Sequence, residues 1–349
     1  MKRTKSSKPL AEQIKRSSSK KPKKQEQDGN TEIMISTGST LLDLAISGGR
    51  IKGGGIPAGI LVEVFGPSAA GKTVLLCEIA GAVQRKNGQI MFHDPEARLN
   101  KQFAQMFDLD VQKMDYATPN TIPEVFNAVR HWEVDTGKDR VHGVFADSLA
   151  ALSTDLEMGS DDGDKMGMRR AKEFSEELRR TARILAERNL LMVCSNQVRE
   201  SQEMYGPKQK SPGGLAIGFY SSLRLRLFNP QKIFQTEKIA KKEVKRVVGI
   251  KTEVEVFKSS VWKPYRTAPL TILFDYGIDD IRENLQFIKD YTKNTVYTLG
   301  EDKLHNSMAE SIEIIESEPR LIRQLREQVI DLWGEIEEKF SSERKPKQR

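Results

Sequence analysis

Apolar and polar positions alternate in two rhythms along this chain, and the switch between them orders its elements. A short strand over 33–35 leads through Ser36-Thr37-Gly38-Ser39, a capped turn, into Leu41, Leu42, Leu44, Ala45 and Ile46 at helical spacing. Gly48-Gly49 stops that helix, and Gly53-Gly54-Gly55-Ile56-Pro57 turns the chain into an apolar strand over 60–65. Helical spacing returns over 74–80, and Gly88 precedes a second strand over 89–92. A helix carrying Ile122, Val125, Ala128, Val129 and Trp132 runs to a strand over 143–147. A long amphipathic helix with Phe174, Leu178, Ala182 and Leu185 on one face runs to a strand over 190–194. Strands alternating with helices predict an α/β fold with a doubly wound, mostly parallel sheet.

Beyond residue 220 the rhythm changes. Residues 221–227 alternate cleanly with one basic face, and 247–257 and 270–274 complete an antiparallel extension of the sheet. The stretch 231–246 is charged and helix-like, or else an inserted hairpin or arm. From Gly277 short helices over 281–291, 308–317 and 321–340 predict a small C-terminal α/β domain, residues 277–340, followed by a basic tail over 341–349. The polar stretches 157–167 and 198–212 lack any apolar period and are expected as mobile loops. They bound a core expected over 31–276, with the second loop leaving the sheet at the end where a parallel sheet places its chemistry.

Composition changes this picture in three places. Hydrophobic residues at 38% support a folded core, no apolar run reaches the length of a membrane span, and no apolar stretch follows the charged N-terminus, so a cytoplasmic protein with no membrane partner is expected. Cys77 and Cys194 sit in a helix and a strand as small core residues, and His93, His131, His142 and His305 show no ligand spacing, so no zinc site is expected. The net charge of +7 resides in residues 1–30, where ten Lys/Arg face Glu12, Glu26 and Asp28. That leader reads equally as a solvated tail and as an arm that contacts a phosphate backbone.

The chemistry centres on Gly66-Pro67-Ser68-Ala69-Ala70-Gly71-Lys72-Thr73, a G-x-x-x-x-G-K-[ST] loop between a strand and a helix. Its glycines let successive backbone N–H groups face one anion, and the helix N-terminus adds positive potential. Lys72 would reach the β- and γ-phosphates of a nucleotide and Thr73 would offer its hydroxyl to Mg²⁺. Asp147, an acid at the tip of an apolar strand, is the expected carboxylate that holds Mg²⁺ through water. His93-Asp94-Pro95-Glu96 ends the second strand of the series.

With those residues placed, the chain resembles the bacterial RecA recombinase family over about 31–340. The likeness lies in ordered blocks: Ser36-Thr37-Gly38-Ser39 with Leu42-Asp43, Gly55-Ile56-Pro57-Ala58-Gly59, Val64-Phe65-Gly66-Pro67, Phe92-His93-Asp94-Pro95-Glu96-Ala97, Asp147-Ser148-Leu149-Ala150-Ala151-Leu152, Asn196-Gln197-Val198-Arg199, and Gly213-Gly214-Leu215-Ala216-Ile217-Gly218-Phe219-Tyr220. The resemblance implies an ATP- and Mg²⁺-dependent filament that grips single-stranded DNA, searches double-stranded DNA and exchanges strands. It implies Glu96 as the general base on the attacking water, Gln197 as a γ-phosphate sensor, and Asn100 and Phe103 at the adenine, Phe103 as a stacking face or a core aromatic. It makes the two polar loops DNA-binding, with Met166, Arg169, Arg170, Arg199, Met204, Tyr205, Lys208, Lys210, Gly213 and Gly214 as their contacts.

Four positions depart from the family pattern. Of two lysines that reach a neighbour's phosphates, Lys258 matches the first and Ser260 replaces the second, leaving Lys263 or Arg266 as substitutes. The N-terminal docking strand is not visible, Gly218 stands where a basic residue is usual, and the C-terminal tail is basic rather than acidic. Two rivals stand beside the recombinase: a non-filamenting RecA-like accessory ATPase that caps or regulates a true recombinase, which the altered interface favours, and a hexameric helicase with the same core. Another recombinase or a loading protein is a further expected partner.

Overall fold

The computed structural model describes residues 33–99, 101–107, 109–135, 140–154, 166–197, 199–200, 209–210, 215–292 and 294–341. In chain order its elements are β1 (Met34–Ile35), α1 (Thr40–Ser47), β2 (Ile56–Pro57), β3 (Leu61–Gly66), α2 (Lys72–Arg85), β4 (Ile90–His93), α3 (Lys101–Gln105), β5 (Met114–Ala117), α4 (Ile122–His131) and β6 (His142–Ala146). Then come α5 (Met166–Glu187), β7 (Leu190–Gln197), β8 (Arg199–Glu200), β9 (Gln209–Lys210), α6 (Leu215–Tyr220), β10 (Leu223–Ile239), β11 (Lys242–Ser259), β12 (Thr267–Leu273) and β13 (Gly277–Ile278). The chain closes with α7 (Asp280–Tyr291), β14 (Thr298–Leu299), β15 (Asp302–Lys303), α8 (Met308–Glu316) and α9 (Pro319–Lys339).

Among the described residues the central sheet runs β13-β12-β11-β10-β3-β7-β6-β4-β5. The pairings from β10 through β5 are parallel and those of β11, β12 and β13 antiparallel, which is the doubly wound sheet with an antiparallel extension. β3 is buried along its whole length because both its neighbours and both its faces are covered. Val62 and Val64 join Leu75, Leu76 and Ile79 of α2 in one apolar core, while Leu61 joins Val125, Phe126, Phe174 and Met192 on the opposite face. The first core continues without a break into Ile281, Leu285, Leu325 and Val329 of the C-terminal helices.

Polar contacts key the turn before α1 to those helices. Ser39 caps α1 by accepting from Leu42 N, and the buried Asp43 carboxylate accepts from Thr37 N (2.7 Å), Thr37 Oγ1 (2.7 Å) and Ser36 Oγ (2.5 Å). Burial pushes the Asp43 carboxyl up to about 6. From the C-terminal side Asp280 accepts from Thr40 N at 2.6 Å, and Arg326 reaches Asp43 at 3.4 Å.

Of the two readings of 231–246, the inserted hairpin is the one the structure has: β10 and β11 pair through it up to Ile239↔Lys242, so it is no helix and its charges stand on a two-stranded ribbon. The turn at Ala240 and Lys241 puts both in the left-handed region, φ 48° and 66°, without the Gly or Asn that normally signals such a turn. The expected loop 157–167 ends early, because α5 begins at Met166; residues 155–165 lie outside the described part. The expected loop 198–212 contains a short antiparallel pair, Arg199↔Lys210 and Glu200↔Gln209, with 198, 201–208 and 211–214 outside the described residues. Two cross-strand pairs are too few for a two-residue alternation to show in the sequence.

Candidate nucleotide-binding site

The cavity that receives the functional side chains opens at the C-terminal ends of β3, β4, β6 and β7, with a volume of about 570 Å³. Residues 66–73 form its floor. Gly66 is required because an added Cβ would strike the Leu227 carbonyl of β10, and Gly71 takes φ 94° as it opens α2. Gly71 has no side chain to cap α2, which leaves the first N–H groups of that helix without a side-chain cap at the point where the loop meets the cavity. Lys72 Nζ folds back to donate to Gly66 O at 3.1 Å and Pro67 O at 2.7 Å. Desolvation holds its pKa below the usual lysine range, against the pull of Asp147.

Thr73 and Asp147 meet here from different elements: Thr73 Oγ1 donates to Asp147 Oδ2 at 2.6 Å, and Ser195 Oγ of β7 donates to Asp147 Oδ1. A hydroxyl and a carboxylate oxygen side by side at the start of α2, below an uncapped helix end, are hard oxygen donors suited to Mg²⁺ with a phosphate bound. Asp94 is engaged structurally, accepting from Leu99 N at 2.7 Å and Tyr116 OH at 2.9 Å, and burial raises the Tyr116 phenol to about 12. Glu96 lines the cavity, with Arg98 Nη1 at 2.8 Å from its Oε2. Gln197 closes β7 in register with Gly66 and lines the same cavity.

Several expected residues lie elsewhere or outside the described part. Asn100 and the Phe103 side chain are outside it, as are Met204, Tyr205, Lys208, Gly213 and Gly214 and the side chains of Met166, Arg199 and Lys210. Arg169 is exposed on α5, while Arg170 donates to the Leu152 carbonyl where the 155–165 segment departs. Lys258 Nζ donates to Gly218 O and Phe219 O, each at 2.9 Å, across the last turn of α6. Desolvation and the neighbouring Arg224 lower the Lys258 pKa, partly offset by Glu63. The side chain of Arg224, bound to Glu63 at 2.6 Å, lies against Gly218, 3.0 Å from where a Cβ there would stand. Of the two substitutes for Ser260, Arg266 is paired with Glu337 of α9, and Lys263 lies 5.5 Å from the Trp262 ring.

Several cavity residues escaped sequence reasoning, Arg98, Ser195, Ile250 and Phe274 among them. Arg98 sits two positions past Glu96 with no motif to mark it, and Ser195 reads as an ordinary strand end. Ile250 and Phe274 wall the far side from β11 and from the residue after β12, and only the sheet order brings them to the loop. His93 is 2% exposed with both ring nitrogens unpartnered among the described residues, and desolvation lowers its pKa to about 4, so the imidazole is neutral.

Among the described residues no helix is long and apolar enough to cross a membrane. The RecA N-terminal domain family matches residues 11–279. The protein RecA of Thermus thermophilus is 31% identical over 308 residues, covering 87% of this chain and 86% of that one. The protein RecA of Acholeplasma laidlawii is 28% identical over 301 residues, 84% of this chain and 86% of that one. A crystal structure of the RadB recombinase aligns with 20% identity and a TM-score of 0.48, covering 70% of this chain and 98% of that one, a likeness too loose to bear on the assignment. A domain match across most of the chain, relatives aligned nearly end to end, and a phosphate loop set on the doubly wound sheet agree that this chain belongs to the RecA family.

Proposed function

We propose that the chain is a DNA-dependent ATPase that assembles as a filament on single-stranded DNA and promotes homologous pairing and strand exchange with duplex DNA. The observation that carries this reading is the course of β7. Its last residue, Gln197, lies beside Gly66 in the nucleotide cavity, and two residues later Arg199 pairs with Lys210 in the segment expected to hold DNA. β7 therefore ends in the cavity two residues before the DNA segment begins, and an amide at Gln197 that bonds a phosphate only before hydrolysis would transmit the nucleotide state to that segment.

In this reading the N–H groups of 66–73 and Lys72 hold the β- and γ-phosphates, Lys72 exchanging the carbonyls of Gly66 and Pro67 for phosphate oxygens. Thr73 and Asp147 hold Mg²⁺, which supplies charge neutralisation at the transferring phosphoryl group. Ser195 fixes the Asp147 carboxylate through its hydrogen bond. Glu96 orients the attacking water and takes its proton, after Arg98 releases it or turns with it toward the phosphate. Ile250 and Phe274 supply the apolar wall for the base.

A second reading, an accessory ATPase that does not form filaments, is favoured by one observation: Lys258 is spent on its own α6, and Ser260 offers no second cation. ATP hydrolysis with and without single-stranded DNA, with electron microscopy in a non-hydrolysable analogue, separates the two. The recombinase reading expects stimulated turnover and helical filaments, and a Glu96→Gln variant that binds nucleotide without turning it over. Nucleotide binding with neither stimulation nor filaments would replace it with the accessory reading.

A further inference from the structure

The ribbon over 231–246 has no part in the site described above, yet it concentrates charge in a region of the chain that is otherwise balanced. It carries Lys232, Lys238, Lys241, Lys242, Lys245 and Arg246 against Glu237 and Glu243. All sixteen residues are exposed except the partly buried Ile233 and Val244. Six consecutive cross-strand pairs, from Phe234↔Val247 to Ile239↔Lys242, make an arm about 20 Å long.

Directly opposed residues share a face, so the register sorts the cations. Lys238 and Lys245 stand on one face, Lys242 and Arg246 on the other, and Lys241 at the turn between them. None of the six basic side chains forms an ion pair with a described residue, while Glu237 already accepts from the Gln235 amide at 2.8 Å. Cations on both faces and at the tip suit an arm lying between two rows of phosphates. A protein partner would need a continuous apolar patch, but the exposed Phe234, with the Lys245 ammonium 4.3 Å from its ring centre, and Ile239 stand on opposite faces of the ribbon. A single strand would need aromatic platforms along the arm, and Phe234, at its root, is the one aromatic it has.

The arm also points the right way. β10 runs parallel to β3 up to Arg226↔Phe65, so its continuation leaves the sheet at the end where the nucleotide cavity opens, and Ile250, just beyond the ribbon, walls that cavity. We propose that this ribbon is a duplex-DNA contact that lies in a groove, with Lys238, Lys241 and Lys242 at its tip and Lys245 and Arg246 behind them reaching the phosphates of the two walls. A two-stranded ribbon fits a major groove about 12 Å wide. The inference rests on the reading of the chain as a DNA-acting ATPase and adds to it the surface that meets the duplex.

The test is the salt dependence of binding by the full chain to a duplex and to a single strand of the same sequence, read by fluorescence anisotropy. Removing one cation from a phosphate flattens the slope of log K against log salt by about 0.9 on duplex DNA. A K238A/K241A/K242A variant is expected to lose about 2 to 3 of that slope on duplex, with single-strand binding and ATP turnover within about twofold of wild type. The triple Lys→Arg variant should restore the duplex slope. Equal duplex slopes and affinities in wild type and alanine variant would make the ribbon a solvated surface and overturn the proposal. An unchanged slope with altered sedimentation would overturn it in favour of a contact between proteins. A ribbon-dependent duplex slope without DNA-stimulated ATP turnover would keep the contact and remove the recombinase reading instead.

Discussion

β10 and β11 are one continuous strand pair with two characters. At the root Leu223, Leu225 and Leu227 join Val254 and Val256 in a core that excludes water, and β11 walls the nucleotide cavity with Ile250. In the ribbon the backbone pairing resumes beyond register shifts at Phe228/Gln231 and Ile233/Phe234, but among the described residues no helix covers either face and cations replace the apolar alternation. The hydrogen-bonded ladder is common to both, so it cannot be what makes the root rigid and the ribbon available. Side-chain burial makes that difference, at about 25 cal/mol per Å² of apolar surface removed from water.

The largest effect that would sharpen this contrast lies at the cavity. Lys72→Ala should cut ATP turnover by at least about 10²-fold, because a preorganised charge at the phosphates is lost, while the duplex salt slope carried by the ribbon stays unchanged. A parallel fall in both would break the separation of the two regions. Next in size is Leu225→Ala at the root, expected to cost about 3 kcal/mol in urea unfolding through transfer and cavity terms. Phe234→Ala in the ribbon, a 51% exposed side chain, should cost less than about 0.5 kcal/mol in the same experiment. Equal costs would mean that the ribbon is packed in solution.

Between them in size stands His93, a polar group inside the buried region. Its folded pKa of about 4 lies below the ordinary 6.5, so its neutral form contributes stability that is fully present above pH 6.5 and is lost as pH falls toward 4. That loss should amount to about 2 kcal/mol between pH 7 and pH 5, and His93→Leu should remove it from the unfolding profile. An unchanged profile would show that the imidazole has partners in solution.

The legible parts of this protein were those whose meaning is local. The loop 66–73 is contiguous, its flanking strand and helix are apolar at the right periods, and Asp147 follows an apolar strand, so the cavity floor could be read directly. The wall made by Ile250 and Phe274 depends on β11 and β12 lying beyond β10 in the sheet, which no local period encodes. Ser195 gains its meaning only from the β6–β7 neighbourhood that brings it to Asp147. The ribbon could be read only as a helix or a hairpin, because its turn uses Ala240 and Lys241 in place of Gly or Asn and because a strand exposed on both faces has no alternation to decide between them.

The central claim is that β7 couples the nucleotide cavity to DNA through Gln197. Its most direct test is ATP turnover of wild type and Gln197→Ala, with and without single-stranded DNA, alongside nucleotide affinity. Stimulation by DNA in wild type, and its loss in a variant that still binds nucleotide and still hydrolyses it at the unstimulated rate, is the predicted result. Equal stimulation in both proteins, or none in wild type, would contradict the account.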